Sequence, residues 1–287
     1  MPDLRVLTMP NLAFLPEDLA PGDRLKQPLD PRQLSLVRIG APDHPDFDEA
    51  YQLLWDEFGA LHEMEERTVI LERLRWQPVH PAEGRWLRYE MVLVRRGGRS
   101  IAVRDQVAVI TSDLGDARCL VHLSHVWVHP EWRRTGLAAW LRAAPIQTAR
   151  AGLFAAGLSP ASPITLVAEM EHPDERVEAR QIRLRSYEKA GFLKIDPTVI
   201  PYRQPDFRPP SVIQADGCAR PLPFALIIRR VGQEKERRIA KAEARWIVDS
   251  LYRMYATSFR PQDMIPLWEA QRDWAVGEGF VDLVRPL

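Results

Sequence analysis

Arg133-Arg134-Thr135-Gly136-Leu137-Ala138 is the stretch with the most specific chemistry in this chain. It follows residues 121–128, whose Val, Leu and Trp content reads as a strand. It precedes a helical pattern carried by Leu137, Trp140, Leu141, Ala144 and Ile146. A turn of this kind gathers unpaired backbone N–H groups and the positive end of a helix dipole in one small volume. Gly136 and Ala138 keep the backbone approachable, and Arg133 or Arg134 adds fixed positive charge. A pyrophosphate fits such a turn. Other side chains could move protons. Alternation over 164–171, ITLVAEME, puts Glu169 and Glu171 on one face, where mutual repulsion would raise one carboxyl toward neutrality; the competing reading is a solvated acidic rim. On the strand before the turn, His122 and Ser124 share a face and His125 lies opposite. A histidine there could relay a proton or be a satisfied structural residue. Glu90, on an earlier hairpin, is a third carboxylate.

The elements that must hold these groups follow from pattern. SLVRIG at 35–40 is a first strand. Asp46 is a plausible cap for a helix through Phe47, Ala50, Leu53, Leu54 and Phe58, and a second helix spans about Glu63 to Trp76. LRYEMVLVR at 87–95 turns through Arg96-Gly97-Gly98-Arg99 into IAVRDQVAVIT at 101–111. Asp113-Leu114-Gly115-Asp116 turns again into the central strand at 119–128. A helix at 134–150 then crosses over, so the strand at 164–171 must pair parallel to the central one. A helix from about Glu175 ends at Gly191, LKID at 193–196 is a short strand, and FALIIRRV at 224–231 is the last strand. Residues 1–34 read as a proline-rich arm, and 232–287 as a helical appendage with a face of Ile239, Ala242, Trp246, Ile247, Leu251 and Met254 and a shorter piece near Trp268 to Val276.

Arg133, Gly136 and Ala138, approached through Val128-His129-Pro130, resemble the acetyl-CoA signature of the GNAT N-acetyltransferase superfamily: Gln or Arg, two residues, Gly, any residue, Gly or Ala. Downstream, Arg185-Ser186-Tyr187-Glu188-Lys189-Ala190-Gly191-Phe192 is similar to that family's helix-ending Tyr-Glu-Lys-x-Gly-Phe. The segment from Leu166 to Pro205 looks like one bacterial branch of it. The resemblance covers about residues 35–231 and implies an α/β fold, a mixed, mostly antiparallel twisted sheet flanked by helices. It implies acetyl-CoA as cosubstrate, with Arg133, Arg134, Thr135, Gly136, Leu137 and Ala138 on the pyrophosphate. The backbone of Val126, Trp127 and Val128 would pair with the pantetheine arm in a wedge where two strands splay. It implies direct acetyl transfer to a primary amine, on a small molecule or a protein, with no metal and no covalent enzyme intermediate. Tyr187 would be the general acid beside the thioester sulfur; its alternative is a hydroxyl anchoring a helix end. Glu169, Glu171 and His122 are the candidates for base or amine binding. Trp55, Phe58, His62, Tyr202 and Gln204 would line the acceptor side or simply pack. The asparagine many members carry before the tyrosine is absent, with Arg180 and Gln181 in its neighbourhood.

Composition bounds the rest. The chain has 287 residues, 46% of them hydrophobic, enough for a sizeable core. Its 39 basic and 39 acidic residues balance, so nothing global favours nucleic acid or an anionic membrane. Cys119 and Cys218 make no disulfide framework or zinc pattern. No run approaches a membrane span and no leader pattern opens the chain, so the expectation is a soluble cytoplasmic protein. A homodimer through the C-terminal helices is a further expectation. The rival class is a non-catalytic acyl-CoA sensor whose C-terminal helices report ligand binding. A nucleotide-binding reading lacks G-x-G-x-x-G or G-K-[ST].

Overall fold

The structure, a computed structural model, describes residues 13–25, 29–82, 84–112, 117–272, 274 and 278–287. Its elements in chain order are α1 (Pro21–Arg24), β1 (Ser35–Ile39), α2 (Phe47–Phe58), α3 (Arg67–Leu74), β2 (His80–Ala82), β3 (Arg85–Arg96), β4 (Arg99–Thr111), β5 (Arg118–His122) and β6 (Val126–Val128). Then follow α4 (Leu137–Ala143), α5 (Pro145–Ala155), β7 (Ile164–Met170), α6 (Glu178–Lys189), β8 (Leu193–Ile195), β9 (Arg203–Gln204) and α7 (Pro210–Ala215). The chain closes with β10 (Leu222–Pro223), β11 (Ala225–Arg230), β12 (Arg238–Ala240), α8 (Lys241–Ala256), α9 (Pro261–Arg272) and β13 (Phe280–Val284).

One mixed, mostly antiparallel sheet flanked by helices results, as expected, with strand order β1-β3-β4-β5-β7-β11-β8-β13-β12. The β3–β4 hairpin closes through Gly97 and Gly98, both with positive φ (56° and 80°), the conformation that a tight hairpin turn demands. Both strands are buried along most of their length, with apolar runs at 91–94, 101–103 and 107–110 broken by the buried polar residues Arg88, Glu90, Arg104, Asp105 and Gln106. The parallel pair is β5–β7, with Cys119 opposite Ile164 and His122 opposite Val167. A crossover helix is what makes that pairing possible. It is α4 and α5 joined at Ala144, which stays right-handed while Pro145 starts the second segment.

Among the described residues, the buried apolar side chains form three clusters, the two largest on opposite faces of the sheet. Phe47, Leu54, Ile70, Leu74, Leu120, Val167, Ile247, Leu251 and Tyr255 pack on one face. Val121, Ile146, Ala149, Leu153, Leu166, Ala168, Leu184, Tyr187 and Phe192 pack on the other.

Several local expectations need correction. The strand expected over 119–128 is interrupted: β5 places His122 opposite Val107, and β6 places Val126 opposite Arg104. Residues 123, 124 and 125 therefore face only 105 and 106, which is a β-bulge. Asp46 makes no cap hydrogen bond to α2; it pairs instead with Arg95 at 2.7 Å. Segment 232–287, expected as a helical appendage, contributes two strands as well. β13 pairs with β8, and α8 buries Ile247, Val248, Leu251, Tyr252, Met254 and Tyr255 in the main core. Residues 13–25 of the expected arm lie across the crossover helices. There Phe14 stacks near Trp140, Asp18 pairs with Arg150 at 2.8 Å, and Asp23 pairs with Arg142 at 3.1 Å. The expected turn at Asp113–Asp116 and the position of Val276 lie outside the described residues.

Candidate active site

The bulge opens the sheet. The last bond between β5 and β7 runs from Leu123 N–H to Val167 C=O at 2.8 Å. Beyond it β6 pairs with β4 alone, and the end of β7, from Ala168 to Met170, pairs with β11. Among the described residues, β6 thus has no strand on its other side, and the sheet has a wedge there. Val126, Trp127 and Val128 form that free edge, half-buried, with the Val128 carbonyl accepting from Arg133 Nε at 3.2 Å.

At the mouth of the wedge, residues 133–138 form the expected turn. Arg134 (φ 67°) and Gly136 (φ 93°) are both left-handed, a conformation natural for Gly136 and unusual for Arg134. Arg134, Thr135 and Gly136 have backbone N–H groups that carry no hydrogen bond among the described residues. Thr135 Oγ1 donates to Trp132 C=O at 2.7 Å and holds the turn in place. Arg133, Arg134 and Ala138 are exposed, whereas Leu137 is buried and anchors the helix.

On the face of α2 and α8, the structure joins His122 to Glu169: Nε2 and Oε2 are 2.8 Å apart. Two tyrosines that the sequence did not mark for this role complete the carboxylate's shell. Tyr202 donates to Oε1 at 2.5 Å, and Tyr255, from α8, donates to Oε2. Burial pushes the Glu169 carboxyl up, but the bond and charge of His122 and the two hydroxyls outweigh it and hold it below the usual range. Burial and the Glu169 charge push both tyrosines well above theirs, so they stay donors. With Glu169 ionised, all three partners donate to it. The ring nitrogen that donates to Glu169 is Nε2, and Nδ1, 3.1 Å from Ser124 Oγ, offers a lone pair whenever the ring is neutral.

Glu171 takes a different position from the one expected. It pairs with Arg180 and Arg183 of α6, so two guanidiniums neutralise it. The expected mutual elevation of Glu169 and Glu171 is not found, since Glu169 is shifted down. Glu63 is shifted up instead, through burial and then the charge of Glu171. No periodicity in the sequence pointed to Glu63.

The bulge also corrects the facing of His125. Its extra residue changes the phase, so His125 lies on the same side as His122 and not opposite. His125 Nδ1 sits 3.0 Å from Asp105, its backbone N–H donates to the same carboxylate at 2.7 Å, and Tyr89 donates to the other oxygen at 3.0 Å. Burial alone would lower the His125 pKa; the charge and hydrogen bond of Asp105 override it and raise the value to about 9. Asp105 is held low in return. His125 is thus a charged structural residue. Glu90 is likewise structural, buried among Arg88, Arg38 and Thr148.

Tyr187 is buried on the opposite face from His122, edge-on to Phe192 and beneath the Arg142 guanidinium, 5.6 Å from its ring centroid. Its hydroxyl makes no hydrogen bond among the described residues. Trp55 and Phe58 pack on the core face, with Phe58 5.1 Å from the His125 ring, while His62 ends its turn left-handed. Gln204 pairs with Leu222 in a two-stranded ribbon. Among the described residues no group of three or more His, Cys, Asp or Glu is placed to hold a metal, and no helix is long and apolar enough to cross a membrane.

The hydroxyls around Glu169 give a first prediction. Replacing Tyr202 and Tyr255 by Phe removes two bonds to a charged group, each contributing roughly 1.5–3 kcal/mol. Because the folded pKa of Glu169 is depressed, its contribution is present above the unfolded value and lost as pH falls through the folded value. The double variant raises the folded value, so acid unfolding followed by circular dichroism should begin at higher pH than in the wild type. An unchanged acid limb would show that the hydroxyls do not set the carboxylate's charge.

No protein-family model matches this chain, and no curated protein matches it by sequence. Solved structures do. An aminoglycoside acetyltransferase from an uncultured soil metagenomic sample, in complex with trehalose, is 14% identical with a TM-score of 0.34, covering 54% of this chain and 87% of that one. A GCN5-related glucosamine N-acetyltransferase region of a fungal multi-domain GH3 β-N-acetylglucosaminidase is 15% identical with a TM-score of 0.37, covering 57% and 17%. A tandem GNAT protein from the clavulanic acid biosynthesis pathway is 18% identical with a TM-score of 0.33, covering 57% and 45%.

Proposed function

We propose that the protein is an N-acetyltransferase that moves an acetyl group from acetyl-CoA to a primary amine. The observation that carries this reading is the wedge itself: a free strand edge at Val126–Val128 leading from an N–H-lined, arginine-flanked turn to a buried His–carboxylate pair. The turn suits the pyrophosphate and the free edge suits the amides of pantetheine. The amine enters from the face of α2 and α8, where His122 Nδ1, directly or through the Ser124 hydroxyl, takes its proton. Tyr187, on the opposite face, supplies the proton for the departing thiolate. Calorimetry with CoA, followed by thiol release from acetyl-CoA over a panel of amines, tests the reading. Turnover supports it; tight binding without turnover for any amine would leave a sensor.

The turn makes its own prediction. A valine at Gly136 must adopt a left-handed conformation that costs an ordinary residue about 1–2 kcal/mol. Its side chain also projects where the backbone must be approached. Gly136→Val should weaken CoA binding by about tenfold or more, since about 1.4 kcal/mol is a factor of ten. Wild-type affinity in a folded Gly136→Val protein would place the diphosphate elsewhere.

A further inference from the structure

Ser124, His122 and Glu169 stand in line: Ser124 Oγ lies 3.1 Å from His122 Nδ1, and His122 Nε2 lies 2.8 Å from Glu169 Oε2. Nucleophile, base and carboxylate in this sequence form the relay by which serine hydrolases activate a hydroxyl, recognised by geometry and not by position in the chain. The two ring nitrogens are exchanged relative to the usual arrangement, but the logic holds. Glu169, itself fixed by Tyr202 and Tyr255, keeps a proton on Nε2, so that in the neutral ring Nδ1 is the nitrogen that accepts from Ser124. Ser124 is the half-buried middle residue of the bulge. Its neighbours' amides are taken, Leu123 by the Val167 carbonyl and His125 by Asp105, whereas the N–H of Ser124 carries no hydrogen bond among the described residues. An unclaimed N–H on the nucleophile itself is a donor that a developing oxyanion requires.

We infer that Ser124 is an acyl acceptor, giving the protein a hydrolase activity toward short-chain acyl thioesters and activated esters when no amine is present. The Ser124 Oγ attacks the acyl carbonyl while its proton passes to His122 Nδ1. The C–S bond, or the C–O bond of an ester, breaks, and the imidazolium returns the proton to the leaving group. Water then attacks the acyl-Ser124 ester with His122 as base, releasing the carboxylic acid and restoring the hydroxyl. Only the thioester donor rests on the acetyltransferase reading; the relay does not.

The test uses the full-length protein with p-nitrophenyl acetate and, separately, with acetyl-CoA and no amine. CoA binding is measured by calorimetry on the same samples. The expected result is p-nitrophenol release with an acetyl ester on the Ser124 peptide or steady hydrolysis, falling on the order of a thousandfold in Ser124→Ala. Ser124→Cys should instead carry a thioester at the same position, which keeps the inference testable if the alanine variant folds poorly. A wild type that binds CoA yet releases no more p-nitrophenol than buffer would overturn the inference. So would release that is undiminished in folded Ser124→Ala. Ester cleavage at Ser124 without CoA binding would retain the relay and remove the acetyl-CoA reading.

Discussion

His122→Ala lowers the turnover number for acetyl transfer by roughly 10²–10⁴-fold and leaves the KM for acetyl-CoA nearly unchanged, the range expected when a positioned general base is lost. His122 is the group that joins the buried carboxylate to the open side of the wedge, through Glu169 at one ring nitrogen and Ser124 at the other. The turn at 133–138, where we propose the cosubstrate binds, lies beyond β6 in the chain, so binding should be spared. Glu169→Gln should act through the same ring. An amide N–H facing Nε2 favours the tautomer with its proton on Nδ1, which closes the lone pair to Ser124 and to an amine. Steady-state kinetics on both variants decide it. If His122→Ala retains turnover within about tenfold of wild type, the base is elsewhere, with Glu63 the next carboxyl in place.

The largest effect on stability falls at Asp105. Asp105→Asn leaves His125 buried without its counter-charge, and breaking a buried pair in this way costs roughly 3–5 kcal/mol. The sign of the pH dependence follows from the shifts. The His125 pKa is raised to about 9, so its contribution is complete below the unfolded histidine value and lost as pH rises through about 9. The Asp105 pKa is lowered, so its part is present above the unfolded carboxyl value and lost as pH falls through the folded one. The wild type should therefore lose stability at both ends of that window, and Asp105→Asn should flatten both limbs. Urea unfolding across pH measures this, and a variant as stable as wild type near neutral pH would dissolve the pair's structural role.

The periodicity of apolar residues made most strands and the crossover legible, because a strand buried on both faces is a run of Val, Ile and Ala, as at 101–103 and 107–110. The turn at 133–138 was legible because Gly136 marks a left-handed backbone position between a strand and a helix. The phase of the central strand was not. A bulge adds one residue without a change in composition, so alternation placed His125 on the wrong face. Long-range partners were equally silent. Nothing local in Tyr255 says that α8 folds back beneath β5 and β7 to reach Glu169, 86 residues earlier in the chain. Glu171 was misplaced for the converse reason: its neutralising partners, Arg180 and Arg183, sit a helical turn apart on a helix whose direction the strand alone does not reveal.

The strand order bears on how the chain can be made. β11 lies between β7 and β8, so β8 has no place in the sheet until a later segment has been synthesised. The Arg229 side chain reaches the carbonyl of Asp18, 211 residues away, and adds a late contact to a segment already held by Trp140, Arg142 and Arg150. Such non-local pairing slows folding, since long loops must close before any contact offsets their entropy. A nascent chain halted after residue 224 should remain sensitive to protease throughout, and resistance should arrive in one step once α8 has left the ribosome.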